Sequence, residues 1–195
     1  MDRIANIIRA DHRDLALCYR RIVDAVDEDE QTRHQNQFTW ELARHLVGEE
    51  LVIFPAMERN VRDESVDEQQ PQRPHPHQKL KENLQIFQNL HCSDPRFIPT
   101  ITVLMDDLAA HIHTEETLDL VKLESAITAE ESQRLARWFA RSKWVAPTRA
   151  HPSLPDRSPY EMATALIAAP LDHLQDLFRR WPDPELYPTP GPEEG

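Results

Sequence analysis

Glycine is almost missing from this chain. Three occur in 195 residues, and none of the 16 prolines precedes Pro55. Meanders of short strands need turn residues every ~8–12 positions, so the first third of the chain argues against them and for long helices. Only two cysteines occur, Cys18 and Cys92, without the spacing of a zinc or redox motif and too few for a disulfide framework. No apolar run approaches the ~20 residues that cross a bilayer. The N-terminal stretch MDRIANIIRADHRDL breaks into charge too soon for a secretory signal, so a cytoplasmic protein with no membrane partner is expected. Clusters of Lys and Arg are also lacking, and the formal net charge is −12. Such a surface repels phosphate backbones, which argues against nucleic acid as a partner.

What the chain does have is apolar residues at three-and-four spacing, the mark of one buried helical face. A first segment, 2–26, carries Ile4, Ile8, Leu15, Tyr19, Ile22 and Val26, with His12 in the gap of the rhythm. The second, about 34–61, carries Phe38, Leu42, His45, Glu49, Val52 and Ala56, and Pro55 is expected to kink or end it. A polar, proline-rich loop follows over 62–76. The third segment then carries His77, Leu80, Leu84, Phe87 and His91. The fourth, about 97–125, carries Phe97, Ile101, Leu104, Leu108, His111, Glu115 and Leu118. Four such segments with mostly short connections predict an all-α protein, an up-and-down antiparallel four-helix bundle over residues 1–126. Residues 127–195 read as an extension with extra C-terminal helices. Thr128 and Glu131 make a capping box for a helix over 129–143. Ser158-Pro159-Tyr160-Glu161 opens another, LDHLQDLFRRW resumes it after Pro170, and a proline-rich tail ends the chain.

Two segments share a pattern. LARHLVGEELVIF at 42–54 and LAAHIHTEETLDL at 108–120 both place a Glu four residues after a His. Four residues advance a helix by ~6 Å and slightly more than one turn. His45 and Glu49 therefore share a face, as do His111 and Glu115. Both pairs lie on the apolar stripe, where an uncompensated carboxylate protonates rather than stays charged. His12 and His77 occupy stripe positions of the other two segments. A lone His on an apolar face is more often a satisfied core residue than a ligand, and a Glu pair on a helix is commonly solvated. Six polar residues on the buried stripes of four helices, with one spacing repeated, fit that bland account badly. His12, His45, Glu49, His77, His111 and Glu115 are therefore expected to hold metal. Imidazole and carboxylate without thiolate suit iron, manganese or zinc. Six ligands exceed the needs of one tetrahedral zinc and favour two metals bridged by the carboxylates. Glu50 and Glu116, one step round the helix, are either partners of the ligands or solvated. His113 faces away, and His34, His75, His91, His151 and His173 have no matched partner.

These residues resemble the hemerythrin-like proteins, the His-His-Glu cation-binding family. The resemblance runs through DHRDL with His12, HLVGEELVIFPAME with His45, Glu49 and Pro55, HPHQKLKENL with His77, and HIHTEET with His111 and Glu115. It covers about residues 1–126, and YEMATALIAAPLDHLQDLF resembles extensions of fungal members. The resemblance implies a bundle around a di-iron centre that meets dioxygen, with the six residues as iron ligands and Glu49 and Glu115 as bridges. Oxygen-carrying hemerythrins have a further His one turn before the third-helix ligand, where this chain has Arg73. They also have an Asp five residues after the fourth-helix His, where this chain has the His-x3-Glu form. The site is one imidazole poorer unless His75 substitutes. The expected function is a non-haem di-iron protein that binds dioxygen or senses iron and oxygen, with manganese or zinc fitting the same donors. A di-iron oxidase or oxygenase acting on a small molecule is the alternative, since a missing imidazole leaves a more open iron. An iron-dependent protein-interaction module is a third reading.

Overall fold

Helix α1, Ile4–Asp24, opens a computed structural model that describes residues 2–61, 77–146, 176 and 179–186. Its buried face is Ile4, Ala5, Ile8, His12, Leu15, Cys18 and Ile22, the stripe read from the sequence with Ala5 and Cys18 added and Tyr19 only partly buried. Val26 lies beyond the helix end and is 88% exposed, a correction to that stripe. Helix α2, Glu28–Gly48, begins earlier than residue 34 because Asp27 caps it. The Asp27 Oδ1 accepts the Glu30 N–H at 2.8 Å, and the Glu30 side chain reaches back to accept the Val26 N–H at 2.9 Å. Glu28, Asp29 and Glu30 also place negative charge at the positive end of the helix.

The rod continues through a π-helical turn, Glu49–Ile53, into α3, Phe54–Asn60. The helix therefore runs on past Pro55. In a regular α-helix a proline ring collides with the carbonyl four residues back. Here the turn before it is widened, and the Phe54 N–H donates to the Glu49 carbonyl five residues back. Helices α4, Gln78–Gln88, and α5, Phe97–Thr114, form the second pair. His91 falls past the end of α4 and is exposed, so the third stripe stops at Phe87. Pro99 sits in the first turn of α5, where the N–H it lacks has no intrahelical acceptor. A second π-helical turn, Glu115–Asp119, leads into α6, Leu120–Ala126. That turn takes up one extra residue, so the buried stripe resumes at Leu120 and Leu123 and leaves Leu118 52% exposed.

Helix α7, Ala129–Val145, follows where the capping box placed a helix, with the Thr128 hydroxyl accepting the Glu131 N–H at 3.2 Å. A 3-10 turn covers Pro184–Leu186. The loop over 62–76 with Arg73 and His75, the helix expected from Ser158, most of its continuation from 171, His151, His173 and the tail after 186 lie outside the described residues.

α1 packs on α2, α2 on α4, α4 on α5 and α5 on α1, which closes a ring of four antiparallel rods. α7 packs outside this ring against α1, α2 and the first π turn. Among the described residues there is no strand, and no helix is long and apolar enough to cross a membrane. The interior has two apolar parts. One gathers Leu15, Ile22, Phe38, Leu42, Phe87 and Phe97, and the other gathers Ile4, Ile8, Val52, Leu120, Leu123 and Phe139. His12 stands between Ile8 and Leu15 on α1, so a polar band separates the two dry cores. Full burial of each large side chain contributes ~1.5–3 kcal/mol, and this holds the polar band in place from both ends.

Candidate metal centre

All six candidate residues meet in that band. His12 comes from α1, His45 from the last turn of α2, His77 from the N-cap of α4 and His111 from the last turn of α5. Glu49 and Glu115 each occupy the first residue of a π turn. Such turns concentrate at functional sites, and here both carboxylates are presented by the same local distortion. Glu49 and His77 are fully buried and Glu115 is 3% exposed.

The donors fall into two groups, His12, His45, Glu49 and Glu115 in one and Glu49, His77 and His111 in the other. Glu49 belongs to both. Its Oε1 lies 2.7 Å from His45 Nε2, and its Oε2 lies 2.9 Å from His77 Nε2 and 3.4 Å from His111 Nε2. Glu115 Oε2 lies 3.2 Å from His12 Nε2 and 3.8 Å from His111 Nε2. The imidazoles stand in near-perpendicular pairs, His12 with His45 and His77 with His111, each pair with ring centroids 5.0 Å apart.

These approaches are not ordinary hydrogen bonds. The Nε2 atoms of His12, His45 and His111 and both oxygens of Glu49 and Glu115 are buried and make no aligned hydrogen bond among the described residues. Buried polar atoms are paired in the great majority of cases. Donors held ~2.1 Å from a shared six-coordinate ion sit ~3 Å from one another. The separations observed within each group, 2.7–3.4 Å, scatter around that spacing. The donor chemistry and the orphaned atoms fit a pair of bound cations.

Without metal, protons take their place. Burial depresses the His45 imidazolium, but Glu49 and Asp11 beside it outweigh this and hold it up to about 10. Burial opposes the charged form of Glu49, yet His45, His111 and His77 keep its carboxyl well below the usual range. Burial lowers His77 while Glu49 and Glu50 raise it, with a net upward result. Burial and the Glu49 charge push Glu115 up. The two acids are thus shifted in opposite directions, as carboxyls sharing one interior are.

Three imidazoles are held from behind by a carboxylate that is itself paired with a cation. His12 Nδ1 lies 2.7 Å from Glu116, whose other oxygen lies 3.7 Å from Arg9. His77 Nδ1 lies 3.0 Å from Glu50, which lies 2.7 Å from Lys81. His45 Nδ1 lies 3.2 Å from Asp11, which lies 2.7 Å from Lys143. A proton on Nδ1 donated to the carboxylate leaves the Nε2 lone pair facing inward. Glu50 and Glu116 thus act crosswise, each holding the lone histidine of the opposite helix pair. Asp11 and Lys143 escape the sequence reading. Asp11 adjoins His12, and that adjacency is a signal that could flag it, whereas Lys143 carries no sequence signal because its place depends on where α7 docks. His111 has no carboxylate behind it among the described residues, and its side chain, 14% exposed, is the most open of the six. His113 faces away, as expected, and buried His34 lies near Glu30, apart from both donor groups.

A cleft of about 710 Å³ opens beside His111 and Glu115, walled by Ile53, Phe54, Met57 and Leu80. The Hemerythrin HHE cation binding domain matches residues 3–123 of the chain. An uncharacterised hemerythrin-like protein of Schizosaccharomyces pombe is 43% identical over 182 residues, spanning 93% of this chain and 89% of that protein. No solved structure gives a significant match. The match spans the ring of helices and all six clustered side chains, and on it the chain belongs to the hemerythrin HHE cation-binding family.

Proposed function

We propose that this chain is a non-haem di-iron protein that binds dioxygen, or responds to iron and oxygen, at the poorer of its two donor groups. The inequality of the groups carries this reading. His12, His45, Glu49 and Glu115 offer four donors, whereas Glu49, His77 and His111 offer three. A six-coordinate ion with fewer protein donors keeps more positions for an outside ligand. When bound, a pair of irons supplies electrons and open coordination positions for reaction with dioxygen. The chain's own residues do the rest. The four imidazoles anchor, Glu49 spans both groups through its two oxygens, and the two apolar cores keep bulk water away. The cleft reaches His111 of the three-donor group and Glu115 of the four-donor group.

A second reading, a di-iron oxidase or oxygenase, is favoured by the size of that cleft. Its volume of about 710 Å³ exceeds what a diatomic molecule needs and falls among small-molecule pockets. Its apolar walls, with Lys79 and Asp107 also lining it, suit a small, largely apolar substrate.

Aerobic purification, a metal count, and visible spectra through reduction and oxygen exposure decide between these. One iron per donor group and a band that returns on every oxygen cycle support binding or sensing. A band that decays while oxygen is consumed beyond one equivalent moves the assignment to the oxidase. Folded protein that takes up no metal rejects both.

A further inference from the structure

We propose that Lys143, on a helix outside the family-matched region, is a positioning residue for the four-donor half of the metal centre. This inference rests on the metal reading above. The three carboxylate–cation pairs behind the imidazoles differ in origin. Arg9 and Lys81, which serve Glu116 and Glu50, both fall inside the matched residues 3–123. The cation that serves Asp11 does not. It is the Lys143 ammonium, 2.7 Å from Asp11 Oδ2, and the same oxygen lies 3.2 Å from His45 Nδ1.

Lys143 is held at both ends. Its backbone carbonyl accepts the Arg44 Nε–H at 2.6 Å, and Arg44 is the residue before His45. The Arg44 guanidinium in turn stacks 3.6 Å over the Trp40 ring. One turn earlier on α7, Phe139 stands edge-on to the His45 ring with centroids 6.0 Å apart. Both side chains of the ion pair are 15% exposed, so the pair is shielded and its geometry constrained. A shielded cation holds the Asp11 carboxylate in place, and the held carboxylate fixes the ring orientation of His45. α7 therefore acts on the centre through Lys143, Asp11 and His45 without offering a ligand of its own.

The test is a titration of full-length, metal-free protein with Co(II), read by absorbance and by competition with a chromophoric chelator. Wild type should take up two ions with separable affinities, one per donor group. Lys143→Met should weaken one of them and leave the other unchanged, by less than the ~10–100-fold that losing the direct outer partner of a metal-bound histidine costs. Lys143→Arg should restore binding, and Lys81→Met should weaken the opposite step. Equal affinities in wild type and Lys143→Met, or equal weakening of both steps alongside a less stable metal-free fold, overturns the proposal. If Lys143→Met does not fold, Lys143→Gln carries the same comparison. Wild type that binds no metal refutes the metal reading instead, so the two failures are distinct.

Discussion

Gly48→Ala tests the seat of α7 with a single methyl group. Gly48 has ordinary helical angles, φ −59° and ψ −42°, so alanine is allowed there and in isolation should stabilise the helix by ~1 kcal/mol. The added Cβ, however, would lie 2.7 Å from Phe139 Cε2, 3.1 Å from Cδ2 and 3.3 Å from Cζ. Phe139 is fully buried, and an aromatic ring cannot yield at its tip as a flexible chain does. Overpacking of this kind costs ~1–3 kcal/mol, so the net effect in the wild-type background should be destabilising by ~0–2 kcal/mol. In a Phe139→Leu background the collision disappears and the same substitution should stabilise by ~1 kcal/mol. The sign should reverse, with a coupling of ~1–3 kcal/mol between two residues in contact. Leucine is the better background because Phe→Ala in a core costs ~3–5 kcal/mol, a large part of a typical total of ~5–15 kcal/mol. Urea midpoints of the four metal-free proteins, at constant m-value, measure the cycle. If alanine at 48 stabilises both backgrounds equally, α7 does not sit on the first π turn and the account of Lys143 loses its geometry.

Further outcomes follow from the same contacts. Glu49 is common to both donor groups, so Glu49→Ala should remove the ion of the three-donor group and weaken the other, while His111→Ala should remove one and leave the other's affinity unchanged, as metal counts after desalting and chelator competition will show. The His45 imidazolium is held up to about 10 against an ordinary 6.5, so its contribution to the metal-free fold is complete below 6.5 and is lost as pH rises toward 10. In that window metal affinity should climb by about tenfold per pH unit for each proton displaced, and a flat affinity across it would contradict the assigned charge state. Ser132 accepts the Ile4 N–H at 3.0 Å and donates to Glu124 at 2.8 Å, tying α1 to α7, and Ser132→Ala should cost ~1–3 kcal/mol in a denaturant melt. Chelation of loaded protein should lower its melting temperature, since the ions bind the folded chain alone.

The bundle is legible in the sequence because its stripes are long and its helices carry few breakers. The same stripes locate all six clustered side chains, since a carboxylate that recurs at one spacing on an apolar face needs a cation to keep it there. What stays hidden has local causes. A uniform helical period puts Leu118 inside, and no residue pattern announces a π turn at Glu115. The start of α2 reads late because the acidic run DEDE looks like solvated surface, although Asp27 and Glu30 form a capping arrangement. Glu50 and Glu116 acquire their roles only when the opposite helix pair stands beside them. Lys143 lies 98 residues from His45 in the chain and nearer than 6 Å through one oxygen, a relation that only packing creates.

The two helix pairs present matching donors, yet their surroundings are opposite. Asp11 steadies His45 beneath α7, whereas His111 has no carboxylate behind it among the described residues. The His45 side of the centre is thus covered by α7, and the cleft lies beside His111 and Glu115. A chelator, a reductant or a small ligand arriving through the cleft should meet His111 and Glu115 first, and of the two His111 is the more exposed. If two ions are bound as proposed, the one at the three-donor group should leave, and be reached, first, since it has fewer protein donors and the more exposed histidine.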